Sequence, residues 1–244
     1  MLWKTRFKTC IYHASGIAVY QNWLYRWLQF DSPAVQTLIH RYRPHKPQLN
    51  YLPPLMLPAT VHKKPCLMLG LGGGGIAHAL KPYLGEQKLT IVEANAQVIA
   101  LARQFFGVDT LTNVDIVHAE ASDFLSQSNQ CFSSILVDLF TDNHFPQGCS
   151  NALFFSHCKR LLEPAGVLAV NLANAREHWP VFQLLRDQFA RSTLTIPVPR
   201  SSNLIVLAQK SDTILPFIEK LTQLKAINKA SWDKRWGYLA EYRG

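Results

Sequence analysis

Apolar and polar positions alternate with two different periods from residue 66 onward. Short apolar runs bounded by turn residues predict strands, and longer segments with apolar residues three and four apart predict helices. We predict seven strands, over 66–71, 88–93, 114–118, 133–138, 166–172, 193–198 and 204–209. The predicted helices cover 76–84, 95–105, 121–126, 150–162, 178–190 and 213–225. Strands that alternate with helices predict a doubly wound α/β fold, with a mostly parallel sheet covered on both faces.

The last two predicted strands are joined by only four residues, Pro199-Arg-Ser-Ser. A connection this short leaves no room for a crossover helix, so the two strands must pair antiparallel if they are neighbours. We therefore expect a seven-stranded sheet that ends in an antiparallel hairpin.

The residues before this domain follow a different pattern. Segments 17–20 and 24–30 are rich in β-branched and aromatic residues and predict a small β-hairpin. Residues 44–65 contain six prolines. This density of proline excludes a long regular helix but leaves room for a short one over 51–59. We divide the chain into a β-hairpin module (1–50), a Pro-rich linker (51–65), a main domain (66–225) and a basic, aromatic tail (226–244).

A glycine cluster and a carboxylate stand at the ends of the first two strands of the main domain. Gly70, Gly72, Gly73 and Gly74 belong to the cluster, and Glu93 with Ala94 closes the second strand. Glycines at a strand-to-helix turn let a ligand approach the backbone, and the helix start attracts negative charge. A carboxylate about 20 residues later is placed to accept hydrogen bonds from ribose hydroxyls. The spacing fits both the dinucleotide pattern and that of S-adenosylmethionine (SAM).

The terminal hairpin separates these two ligands. A mostly parallel sheet finished by an antiparallel hairpin resembles the class I SAM-dependent methyltransferases, whereas a nicotinamide domain would normally continue in parallel. A SAM-type ligand is therefore favoured, and an NAD-dependent oxidoreductase remains an alternative.

Further carboxylates follow the third and fourth strands, where ligands of such sheets bind. Asp123 is a candidate for accepting a hydrogen bond from an adenine amino group. Asp138 ends its strand where a general base would lie, and Asp142 follows in the next loop.

Together these residues resemble the spermidine synthase family. The resemblance rests on the segments 67–75, 90–93, 119–123, 135–138 and 161–168, with Val35-Gln36-Thr and Tyr51 upstream. It implies a small N-terminal β-domain, a homodimer, and aminopropyl transfer from decarboxylated SAM to a polyamine. On this resemblance Gln36 and Tyr51 approach the ligands, Glu93 holds the ribose, Asp123 holds the adenine, and Asp138 deprotonates or orients the acceptor.

Three departures from the family pattern lead to a different expectation for the reaction. The family keeps an acid where this chain has Gly73, a His-Glu pair where it has Leu52-Pro53, and two acids three apart where Asp138 and Asp142 are four apart. A polyamine needs carboxylates to offset the desolvation of its charges. We therefore expect methyl transfer from SAM to an unidentified, non-polyamine small molecule. Aminopropyl transfer is the alternative, and a catalytically inactive nucleoside-binding module is a further one.

Composition and charge narrow the class of protein. The chain has 244 residues with 48% hydrophobic content, and its net charge of +9 is concentrated in residues 1–65, which hold nine Lys and Arg against one acid, Asp31. We expect no membrane segment and a cytoplasmic protein, because no apolar run reaches the length of a bilayer span and five scattered cysteines form no C-x-x-C pair. The histidines lack metal spacing, so we expect no metal. Nucleic-acid binding by the tail is not our main expectation, although its aromatic and basic residues permit it.

Overall fold

The computed structural model describes residues 3–32, 34–139 and 144–243, and its N-terminal part is a small antiparallel sheet. The sheet has four strands in sequence order: β1 (Thr9–Ala14), β2 (Ile17–Gln21), β3 (Tyr25–Phe30) and β4 (Val35–His40). The hairpin predicted from the sequence corresponds to β2 and β3. The two outer strands were not predicted: β1 is mostly exposed and carries no clear apolar alternation, and β4 was missed although its residues 37–39 are buried.

The predicted linker contains a helix of eleven residues, α1 (Leu52–His62). Prolines 53 and 54 fall in its first turn, where backbone N–H groups have no intrahelical partner and their loss costs little. Pro58 lies inside the helix, which is nevertheless mostly buried against the main sheet. The proline-rich segment therefore contains the start of a helix and is not only a linker.

The main domain consists of a nine-stranded sheet with helices on both faces. Its strands are β5 (Cys66–Leu69), β6 (Leu89–Glu93), β7 (Val114–His118), β8 (Phe132–Val137), β9 (Leu162–Leu172), β10 (Thr193–Pro197), β11 (Leu204–Gln209), β12 (Ser231–Asp233) and β13 (Gly237–Leu239). Its helices are α2 (Gly75–Leu84), α3 (Ala96–Phe106), α4 (Ala121–Gln127), α5 (Ala152–Leu161), α6 (His178–Gln188) and α7 (Leu215–Gln223).

The strand order is β12-β13-β10-β11-β9-β8-β5-β6-β7. Neighbours from β9 to β7 are parallel, and β11 pairs antiparallel with both β9 and β10. The predicted α/β fold with a terminal antiparallel hairpin is confirmed. The sheet has two strands more than the seven expected, because residues 226–244, predicted as a tail, supply β12 and β13. Strands of three residues are too short to leave a periodic signal.

Successive residues of the central strands pack on opposite faces of the sheet. Leu136 of β8 belongs to one apolar cluster, while its neighbours Ile135 and Val137 belong to the other, and all three are fully buried. Burial on both faces explains why these strands are continuously apolar. Because β5, β6, β8 and β9 are parallel, their carboxyl ends lie at the same edge of the sheet, and polar residues follow them there.

No helix within the described residues is both long and apolar enough to cross a bilayer.

Candidate functional site

A cavity of about 670 Å³ opens at this edge of the large sheet. Residues after β5, β6, β8 and β9 form one wall, and β4 with the β1–β2 and β3–β4 turns of the small sheet forms another. Its volume is in the range of sites for small molecules. Seven residues predicted from the sequence line it: Gln36, Tyr51, Gly70, Gly72, Glu93, Ala94 and Asp138.

The glycine loop brings β5 close to β8. Gly70 has a φ of +96°, and a Cβ at this position would lie 2.4 Å from the carbonyl oxygen of Asp138. Glu93 secures the loop, since its Oε2 accepts a hydrogen bond of 2.9 Å from the Leu71 backbone N–H. Its Oε1 accepts another of 2.9 Å from Asn95. The carboxylate of Glu93 is thus fixed at the cavity wall, with its remaining lone pairs available to ribose hydroxyls.

Gly73 and Gly74 are part of the loop but do not line the cavity. The Gly73 N–H donates a hydrogen bond of 2.8 Å to Oγ1 of Thr37, which reaches the loop from β4. A Cβ on Gly73 would lie 3.0 Å from the Phe106 ring and from the Thr37 methyl group. An acidic side chain, which the family resemblance places here, would therefore require the Phe106 ring or the Thr37 methyl group to shift by a few tenths of an ångström.

Asp138 accepts two hydrogen bonds at the cavity. The Tyr51 hydroxyl donates to its Oδ2 at 3.0 Å, and the Asn171 amide donates to its Oδ1 at 2.8 Å. Burial raises the pKa of the Asp138 carboxyl, and the two hydrogen bonds act in the opposite direction. Burial, and then the Asp138 charge, raises the pKa of Tyr51 well above its usual value. Tyr51 therefore acts as a neutral donor toward a carboxylate that has no Lys, Arg or His beside it among the described lining residues.

Asn171 and Asn203 are two site residues that the sequence analysis missed. Asn203 donates from Nδ2 to Oδ1 of Asn171 at 2.7 Å, and its own Oδ1 accepts from the Ser201 hydroxyl. Each amide is held in one orientation, so that the donor of Asn171 points at Asp138. Asp138 follows β8, Asn171 lies near the end of β9, and Asn203 precedes β11. Because β11 is antiparallel to β9, all three residues lie at the same edge of the sheet. The sequence offered one signal for Asn171, which is a single polar residue in the apolar run at the end of β9.

The structure places Asp123 away from the cavity. It lies in the first turn of α4 with its side chain exposed, and it does not line the site. Glu120, at the N-cap of α4, lines the cavity together with Ala121. The carboxylate that α4 presents to the cavity is therefore Glu120, three residues before Asp123. Asp142, predicted to contact the substrate, lies outside the described residues.

Among the described residues that line the cavity, those of the charged types are all acidic. Asp31, Glu93, Glu120 and Asp138 line it, whereas none of the described lining residues is Lys, Arg or His. This contrasts with a chain whose net charge is +9. Counting charges by segment assigned Asp31 to a basic module, but the fold places this carboxylate at the cavity. Within the described ranges, no group of three or more His, Cys, Asp or Glu is arranged to hold a metal ion.

Comparison with known proteins identifies the family. The model of the spermine/spermidine synthase domain matches residues 52–205. The chain belongs to the spermine/spermidine synthase family. It is 30% identical over 168 residues to the polyamine aminopropyltransferase of Chromobacterium violaceum, a match that covers 68% of this chain and 62% of that relative. The chain thus spans less than two thirds of that protein.

Solved structures confirm the fold. A spermidine synthase in complex with the transition-state analogue AdoDATO superposes with a TM-score of 0.70 at 20% identity, covering 88% of this chain and 78% of that one. Human methyltransferase-like protein 13 in complex with SAH gives a TM-score of 0.59 at 19% identity, covering 77% and 94%. Both support the Rossmann-like methyltransferase architecture expected from the terminal hairpin.

The expectation of methyl transfer to a non-polyamine is wrong. The family model and the aminopropyltransferase relatives contradict it. Its premise was a site poor in carboxylates, and the cavity instead has four. The error arose because residues distant in sequence, such as Asp31 and Glu120, meet only in the folded chain.

Proposed function

We propose that this protein transfers the aminopropyl group of decarboxylated SAM to a primary amine of a polyamine or diamine. The observation that carries the proposal is the cavity lined by four carboxylates and, among its described residues, by no Lys, Arg or His. Both substrates are cationic, one through its sulfonium and amine, the other through its ammonium groups. The activity named for the aminopropyltransferase relatives agrees with this reaction.

The donor occupies the side of the cavity formed by the glycine loop and Glu93. In this arrangement Glu93 accepts hydrogen bonds from the ribose hydroxyls, Glu120 faces the adenine, and Ala94 and Gln36 complete the wall. SAM itself carries a carboxylate, which would meet acidic side chains without a Lys, Arg or His among the described lining residues to receive it. Like charges at short range disfavour that donor.

The acceptor amine attacks the propyl carbon bonded to sulfur. The N–C bond forms while the C–S bond breaks, the bonding pair leaves with sulfur as neutral methylthioadenosine, and the amine loses one proton. Asp138 accepts that proton or orients the amine, and Tyr51 fixes the carboxylate through its hydrogen bond. Raising the pKa of Asp138 by burial brings this carboxylate closer to the basicity that proton transfer requires.

Product analysis with putrescine and decarboxylated SAM tests the proposal. We expect spermidine and methylthioadenosine in equal amounts, and a loss of turnover of about 100-fold or more in Asp138→Asn, since general bases contribute on that order. Asp187→Asn, which removes an exposed carboxylate on α6 outside the cavity, is the matched control. No turnover of any amine by the wild-type protein, or full activity of Asp138→Asn, would refute this assignment. The homodimer implied by the family resemblance stays a prediction that sedimentation analysis can test.

A further inference from the structure

The small sheet has two chemically different ends. In an antiparallel sheet successive turns lie at opposite ends, so the β1–β2 and β3–β4 turns face the cavity together. The opposite end is formed by residues 3–8, the β2–β3 turn at 22–24, and residues 41–46 after β4. We refer to these three segments as the basic end.

Hydrogen bonds join the three segments into one surface. The Asn22 amide donates to the backbone carbonyls of Lys4 at 2.8 Å and Arg6 at 3.0 Å. The Arg41 guanidinium donates to the carbonyls of Asn22 at 3.0 Å and Trp23 at 3.2 Å. The Trp3 ring packs edge-on against Tyr25, the first residue of β3, and this contact joins the segment 3–8 to the sheet.

The basic end is cationic without compensation. It contains six Lys and Arg and no Asp or Glu: Lys4, Arg6, Lys8, Arg41, Arg43 and Lys46. Within the described part of the chain, none of the six forms an ion pair. A surface of this kind attracts a polyanion.

Aromatic rings protrude between these cations. Phe7 is 93% exposed, Trp23 80%, Tyr42 65% and Trp3 62%. Two segments repeat the order cation, ring, cation: Arg6-Phe7-Lys8 and Arg41-Tyr42-Arg43. This alternation matches a single polynucleotide strand, in which each base lies between two phosphates and can stack on an aromatic ring.

Other occupants fit less well. A second copy of the chain would oppose like charges across a self-complementary interface, because both copies would present the same cations. A lipid surface is best met by an apolar face separated from its basic residues, whereas the rings here alternate with cations. We propose that the basic end binds single-stranded nucleic acid through its phosphates and bases, independently of the transferase cavity.

Fluorescence anisotropy with labelled oligo(dT) and oligo(U) of about 12 nucleotides tests the proposal directly. If all six cations contact phosphates, the slope of log affinity against log salt is about −4, and affinity falls about 300-fold between 50 and 200 mM salt. The two oligonucleotides should bind alike, because the surface is assigned no contact with the sugar.

Two variants separate the contributions of charge and stacking. Arg6→Ala with Arg43→Ala should reduce the slope to about −3, since two phosphate contacts are lost. Phe7→Ala with Tyr42→Ala should weaken binding at least about tenfold while leaving the slope unchanged. Lys81→Ala with Tyr83→Ala is the matched control, because it removes an exposed cation and ring from α2.

Several outcomes would overturn the proposal: no binding, equal weakening by the control, or binding to phosphatidylserine vesicles but not to oligonucleotides. All variants should retain the aminopropyltransferase activity of the wild type, which confirms that they are folded. An absence of that activity in the wild type would refute the transferase proposal and leave the oligonucleotide result unaffected.

Discussion

At the residue scale, the reaction proposed for the cavity centres on a carboxylate that is held by neutral donors. Asp138 accepts hydrogen bonds from Tyr51 and Asn171, and no Lys, Arg or His lines the cavity beside it in the part of the chain that the structure describes. Burial disfavours its ionised form, and the two donors partly restore it. Asn203 acts one step further away, by fixing the orientation of the Asn171 amide.

Replacement of Asn171 by Leu should move the acidic limb of the pH profile of kcat/KM to higher pH. In the wild type the hydrogen bond from Asn171 lowers the pKa of Asp138, so its removal lets that pKa rise further. The ionised carboxylate then forms only at higher pH. At pH 7 we expect a loss of about tenfold. Asn113→Leu, which removes a loop amide bonded to the Gly85 carbonyl, serves as the control. An unchanged limb in Asn171→Leu would show that the residue is only structural.

A second pair of substitutions distinguishes two carboxylates three residues apart. Glu120 lines the cavity, whereas the side chain of Asp123 is exposed on α4. We expect Glu120→Gln to weaken the binding of methylthioadenosine about tenfold, the loss typical of a hydrogen bond to a charged group. Asp123→Asn should bind it as the wild type does. Calorimetric titration measures both, and the reverse ranking would return the adenine contact to Asp123.

At the element scale, the small sheet contacts the glycine loop directly. Strand β4 supplies Gln36 to the cavity and Thr37 to the loop, where the Thr37 hydroxyl accepts from the Gly73 N–H. The loop conformation thus depends on a strand that precedes it by more than 30 residues. This contact explains why the N-terminal sheet and the main domain form one site.

Thr37→Val should destabilise the protein and weaken donor binding together. The substitution preserves shape but leaves a buried backbone N–H without its acceptor, which costs about 1 to 3 kcal/mol. Chemical denaturation gives the free energy of unfolding, and titration with methylthioadenosine gives the affinity. Thr60→Val removes a hydroxyl that donates only to the Leu57 carbonyl within α1, so a much smaller effect is expected. Equal effects in the two variants would argue against a special role for the loop contact.

Elements with a clear apolar run or with apolar residues at helical spacing could be predicted from the sequence, whereas exposed or very short strands could not. Strands β5, β6 and β8 to β11 are buried on one or both faces, and β7 is partly buried through Val114, Ile116 and Val117, so their composition identifies them. Strand β1 is largely exposed, and β12 and β13 have three residues each. Helix α1 was interpreted mainly as a linker because of its prolines. A helix tolerates proline in its first turn, and the sequence did not show where this helix begins.

The lining of the cavity could be predicted where a residue ends or follows a parallel strand. Gly70, Glu93 and Asp138 each end or follow a parallel strand, and the fold brings such positions to one edge. Asn171 and Asn203 were missed because their role depends on pairing between β9 and β11. Glu120 was missed because the exact start of α4 decides which carboxylate faces inward.

At the scale of the whole molecule, charge is segregated by the fold. The chain as a whole is strongly basic, but its cavity is acidic and its cations collect elsewhere, notably at the basic end. Segment counts alone obscure this separation. A cationic substrate therefore meets an attractive field at the cavity despite a net charge of the same sign as its own.

Ionic strength should reveal which field the substrate senses. Screening extends over about 8 Å at physiological salt, so the nearby carboxylates outweigh the distant cations. We expect the KM for putrescine to rise as salt increases from about 50 to 300 mM, with little change in kcat. A KM that falls with salt would mean that the net positive charge repels the substrate and that the cavity field is weak.

The identity of the nucleoside product tests the central claim most directly. The wild-type protein is incubated with putrescine and equal concentrations of decarboxylated SAM and SAM, and the nucleosides are separated by chromatography. Aminopropyl transfer in the carboxylate-lined cavity predicts methylthioadenosine, matched by spermidine, and no S-adenosylhomocysteine. Accumulation of S-adenosylhomocysteine instead would contradict the account, because it would show that SAM, with its carboxylate, is the donor that the cavity accepts.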